Sequence, residues 1–134
     1  MKVPLSFGPS LVLLQLIAAP LFAQTGDLVL AEKTFLLRCG GCHEAGANKP
    51  VASTENPTLG PSLQGLFGRQ AGTLADFGFS DAMRAAGFTW DDATLIAFMT
   101  SPKKVVPKTK MAFNGLKRQG EAESIVAYLH EVTE

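Results

Sequence analysis

Five consecutive residues, Cys39-Gly40-Gly41-Cys42-His43, bring two thiols three positions apart next to an imidazole. Thiols at that spacing can each add to one of the two vinyl groups of a haem, while the imidazole of the following residue reaches the iron. Other chemistries use these residues less completely. A disulfide would consume Cys39 and Cys42, the only cysteines in the chain, and leave His43 without a role. A thioredoxin-like dithiol has the same Cys-x-x-Cys spacing, but it follows a strand in an alternating β and α pattern that this sequence lacks. Zinc would have to recruit His130, the second of two histidines, from far along the chain.

An iron held on one side by His43 has a second axial position, for which Met83, Met99, Met111 and His130 compete. Met83 and Met99 fall on the inward faces of expected helices, which suits a flexible core filler. Met111 lies instead in a loop rich in Pro and Lys, where an apolar side chain needs a reason to point inward. Met111 is therefore the expected ligand, with the other three as alternatives, and His130 is expected to be solvated near the end of the last helix.

The elements that must position these residues are helical. Asp27 is expected to cap a first helix running to Arg38, with Leu28, Ala31 and Phe35 on one face. This helix delivers Cys39 and His43 at its far end. Residues 44–59 have no periodicity and carry Pro50 and Pro57, so they read as a surface loop. Ser80 is expected to cap a short helix over 81–86 that stops at Gly87. Thr89 and Asp92 suggest a capping box for the next helix, whose inward face is Leu95, Phe98 and Met99 and which Pro102 ends. A last helix from about Gly120 presents Ala122, Ile125, Val126, Leu129 and Val132 as one apolar stripe. Packing the first and last helices through their apolar faces would close a single all-α domain.

Composition limits what that domain can be. The 134 residues include twelve basic and twelve acidic side chains, so the chain carries no uniformly basic surface for nucleic acid. Lys2, the apolar run at 11–19 and the small residue Ala23 read as a secretory signal peptide over residues 1–23, followed by one domain over 24–134. Pro4, Gly8, Pro9, Gln15 and Pro20 interrupt that run, which argues against an uncleaved anchor. A domain this small has a modest apolar inventory of its own, and a buried porphyrin would enlarge its core.

Across residues 26–134 the sequence resembles the class I c-type cytochromes. The resemblance rests on Cys39 to His43, Gly60-Pro61-Ser62-Leu63-Gln64-Gly65-Leu66-Phe67-Gly68-Arg69, Trp90, Pro102-Lys103-Lys104, Pro107-Lys108-Thr109-Lys110-Met111-Ala112-Phe113 and Ala127-Tyr128-Leu129, in that order. It implies one covalent haem c on Cys39 and Cys42, with His43 and Met111 as the axial ligands. By the same resemblance the Pro61 carbonyl accepts a hydrogen bond from His43, Arg69 and Trp90 donate to the haem propionates, and Phe35 and Ile125 meet where the terminal helices cross. The implied function is a monomeric, periplasmic one-electron carrier rather than an enzyme. Redox partners would dock near Lys103, Lys104, Lys110 and Lys117, and no stable membrane insertion is expected after cleavage. Three alternatives use the same residues: a haem subunit dedicated to one periplasmic dehydrogenase, a peroxide- or gas-reactive protein in which Met111 dissociates, and a haem-free thiol oxidoreductase.

Departures from the family pattern accompany the resemblance. Phe79 and Phe98 stand where the family commonly has tyrosines, Ala31 stands where a glycine often lets the terminal helices approach, and the loop over 44–59 is longer than in mitochondrial members.

Overall fold

The computed structural model describes residues 22–46 and 59–133, the first five of them as backbone only. The rest of the expected leader and most of the loop expected over 44–59 lie outside these residues. Among the described residues five helices follow one another: α1 (Phe22–Arg38), α2 (Asp81–Arg84), α3 (Asp92–Thr100), α4 (Pro102–Val105) and α5 (Glu121–Thr133). Among the described residues no strand forms, and a lone antiparallel bridge joins Gln70 to Thr89. The all-α architecture expected from the sequence is therefore present. No helix among the described residues is long and apolar enough to cross a membrane.

The two longest helices, α1 and α5, pack against each other, and α5 also receives α3. Phe35 and Ile125 are buried at 1% and 0% exposure, with Ala31, Leu129 and Tyr128 around them. The Phe35 and Tyr128 rings lie 5.4 Å apart at a tilt of 41°. Ala31 is buried as well, so a methyl group fits where the family often has none. Trimming a fully buried aliphatic side chain loses its transfer free energy and leaves a cavity. Ile125→Ala is accordingly expected to cost about 2–5 kcal/mol, read as a lower denaturant midpoint at unchanged slope. A loss under 1 kcal/mol would mean that the helix crossing is not the centre of the core.

Several helix boundaries differ from the sequence reading. The first helix begins at Phe22, upstream of Asp27, so Asp27 lies within a helix that is already running and does not cap it. The cap of α3 is Asp91, whose carboxylate accepts from Thr94 N–H at 2.8 Å, in place of the capping box expected at Thr89 and Asp92. Thr89 is instead held extended by its bridge to Gln70, while Trp90 N–H donates to Arg69 O at 3.0 Å. Ser80 caps α2 as expected, but that helix closes at Arg84, short of Ala86, and Gly87 follows with φ 72°. Pro102 does more than end a helix: it opens α4, where its missing N–H costs nothing.

The outer face of α1 is apolar. Val29, Leu30, Leu36 and Leu37 are exposed, with exposed Lys33 between them.

Candidate functional site

The turn that ends α1 builds the first part of the site. Cys42 and His43 N–H both donate to Cys39 O at 2.9 Å, which winds the pentapeptide into one tight turn. Both thiols are free, Cys39 half-buried and Cys42 exposed. Burial, with smaller additions from Cys42 and Glu121, pushes the Cys39 thiol up to about 12. A redox dithiol needs a stabilised thiolate, so this environment is the reverse of the one thiol-disulfide chemistry requires.

A second segment lies alongside that turn and fixes the imidazole. Gly60 N–H donates to Cys42 O at 2.7 Å and Leu63 N–H to Glu44 O at 2.9 Å. The His43 Nδ1 atom sits 2.9 Å from Pro61 O. A carbonyl only accepts, so Nδ1 carries the proton and Nε2 keeps its lone pair. Burial lowers the His43 pKa, the Pro61 carbonyl opposing it, which favours the neutral ring that a metal-ligating imidazole must be. Gly60 packs against the ring so closely that a methyl group there would overlap its Cε1 edge and stand 2.7 Å from Nδ1 and 2.8 Å from Nε2. Gly60 belongs to the quoted motif, but its steric role against His43 emerges only once the two segments are side by side.

Arg69 and Trp90 are neighbours, joined through the backbone bond between them and a second from Gly68 N–H to Trp90 O at 2.9 Å. The Arg69 guanidinium donates to Gln64 O at 2.9 Å and Ser62 O at 3.1 Å, which ties it to the strip holding Pro61. Trp90 is buried, its ring edge-on to Phe88 and Phe98 at 4.8 Å and 5.2 Å. Phe98 therefore contributes an aromatic wall where a tyrosine would add a hydroxyl. Phe79, the other replacement, makes an edge contact with Phe77 at 4.8 Å.

Met111 lies in the loop after α4, half-buried against the core. This loop is clamped at both ends. Val106 N–H donates to Pro102 O at 2.8 Å, Leu116 N–H donates to Met99 O at 2.9 Å, and Gly115 adopts φ 86° where the Thr100 carbonyl leaves no room for a side chain. Lys110 Nζ donates to Gly78 O at 3.0 Å, which ties the loop to the stretch before α2. Met83 and Met99 are buried in α2 and α3. His130 is not simply solvated: it stacks on Phe67 with centroids 3.7 Å apart and meets Asp92 Oδ1 at 2.7 Å.

This donor set fits a haem: two free thiols on one turn, one neutral imidazole aimed by a carbonyl, and a thioether on a clamped loop. No cluster of three His, Cys, Asp or Glu side chains that could hold a bare metal ion occurs among the described residues. Lys103, Lys104, Lys108, Lys110 and Lys117 are exposed around the Met111 loop.

Known proteins resemble the chain along most of its length. It is 41% identical over 114 residues to cytochrome c of Chlamydomonas reinhardtii, a match covering 83% of this chain and 94% of that protein. Cytochrome c of Arabidopsis thaliana is 38% identical over 108 residues, covering 81% and 91%. Cytochrome c2 of Afifella marina is 41% identical over 109 residues, covering 79% and 83%. No family model matches the chain.

Proposed function

We propose, from the premise that this chain belongs to the cytochrome c family, that it is exported to the periplasm and shuttles single electrons between redox enzymes there. Family membership carries the coarser statement: the protein is a monohaem electron carrier, not an enzyme, and it holds one haem c covalently. Export rests on the leader expected over residues 1–23.

The bound haem supplies an iron that takes up and gives back one electron. Cys39 and Cys42 would hold that haem, each thiol adding across one vinyl group with no atom lost. His43 Nε2 and the Met111 sulfur are the axial donors in this reading, and Pro61 holds the imidazole in the tautomer that His43 needs. His43 and Met111 together would leave the iron no open position for a substrate. Arg69 and Trp90 are the proposed donors to the propionates, and Lys103, Lys104, Lys110 and Lys117 the positive rim that meets an acidic partner.

The single observation that supports the reading most is the half-buried, neutral His43 aimed by Pro61 beside two free thiols. Osmotic shock of cells able to mature c-type haem is expected to release the coloured protein. The colour should then stay with the polypeptide in acidic organic solvent, and the reduced form should refuse carbon monoxide at neutral pH. Colour retained in the cytoplasmic fraction overturns export, extractable colour overturns the thioethers, and carbon monoxide binding overturns the closed ligand pair.

A further inference from the structure

The junction between the end of α1 and the start of α5 carries a charge that the electron carrier's ligands do not account for. Glu121 opens α5, and its side chain is only 9% exposed. One oxygen, Oε1, accepts from Arg38 Nε at 3.2 Å. The other, Oε2, is buried and has no hydrogen-bond partner. Arg38 immediately precedes Cys39, so this carboxylate stands beside the residue through which the haem is attached.

The two members of the pair are unequally placed. Arg38 is 47% exposed, so water screens its charge, whereas the carboxylate is withdrawn from solvent. Arg118 lines the same cavity of about 380 Å³ as Thr34, Leu37, Arg38 and Glu121, and its own side chain is exposed. The cations thus lie on the wet side and the anion on the dry side. Seen from Cys39, the pair presents net negative charge.

We propose that Glu121 is a positioning and electrostatic residue that lowers the reduction potential of the haem carried on Cys39, its buried carboxylate opposing the arrival of an electron. This rests on haem attachment at Cys39 as proposed above. Reduction adds one negative charge to the haem, and a fixed anion held nearby in a medium of low dielectric raises the energy of the reduced state relative to the oxidised one. Arg38 limits the effect without cancelling it, because its charge is shared with water.

The test is the midpoint potential of the haem-loaded Glu121→Gln protein. Gln keeps the shape and can still accept from Arg38, but it removes the charge. The potential is expected to rise, with the equilibrium constant for reduction increasing about threefold to tenfold, tenfold being ~59 mV for one electron. The difference should persist at high salt, because a buried charge is little screened. A purely structural role predicts the opposite sign, since loosening the helix junction admits water and favours the ferric state. An unchanged or lowered potential overturns the proposal. If Glu121→Gln does not hold haem, Arg38→Gln decides the matter: where the weak long-wavelength sulfur-to-iron absorption band of the oxidised protein is intact, so that the junction has not loosened, its potential should fall, and an unchanged or raised potential overturns the proposal. A colourless wild-type protein would instead sink haem attachment itself, a separate failure.

Discussion

Replacing Met111 with Ala is expected to erase the weak long-wavelength sulfur-to-iron band of the oxidised protein while leaving the colour attached to Cys39 and Cys42. The potential should fall with it, by roughly 0.1–0.3 V out of the ~0.8 V over which axial ligands set it. A soft thioether favours ferrous iron, and its loss removes that preference. The loop supports this assignment because it is clamped on both sides of Met111, through Lys110 to Gly78 and through Leu116 to Met99. A side chain on such a loop can be aimed at low entropic cost. Met83 and Met99 are buried on helices and serve as controls, since Met83→Leu and Met99→Leu should keep the band. Survival of the band in Met111→Ala would transfer the sixth position to one of them.

Gly60→Ala is expected to be nearly as damaging, although it adds a single methyl group. That methyl would overlap the His43 ring, and the ring has nowhere to retreat while Nδ1 is bonded to Pro61. Either the Pro61 bond breaks or the strip carrying Gly60 moves away from Cys42, whose carbonyl it holds at 2.7 Å. Overpacking of this kind costs about 1–3 kcal/mol, and here the strain falls on the imidazole proposed as an axial ligand. Denaturation followed through the Soret band should show a lower midpoint and an altered absorbance even before unfolding. Gly78 has open space where its side chain would be and ordinary backbone angles, so Gly78→Ala should behave like wild type. Equal effects of the two substitutions would refute the steric account of Gly60.

Much of the candidate site is legible in the sequence because its parts are local. The pentapeptide specifies thiols and imidazole within one turn, and Met111 is conspicuous as an apolar residue among Pro and Lys. The terminal helices are equally readable, since Phe35, Ile125 and Leu129 fall on stripes of helical period. What escaped the sequence depends on distant segments meeting. Arg38 and Glu121 are 83 positions apart, and Glu121 alone reads as a residue that favours a helix dipole. The role of Gly60 needs the second segment to lie beside the pentapeptide turn. At Thr89, a capping pattern gave way because the bridge to Gln70 had already claimed the backbone, leaving Asp91 to reach Thr94. The sequence alone reads His130 as solvated because neither Phe67 nor Asp92 is near it in sequence.

The partnership of α1 with α5 also sets a timetable for the newborn chain. Of the described helices α1 is synthesised first and α5 last. At ~5–20 residues per second, roughly five to twenty seconds separate their completion on the ribosome. During that interval Ala31 and Phe35 lack the face that buries them, and most helical stability in a protein comes from such packing. A polypeptide whose earliest helix waits for its latest stays threadable until translation of α5 is finished, the condition under which a chain can pass lengthwise through a narrow channel.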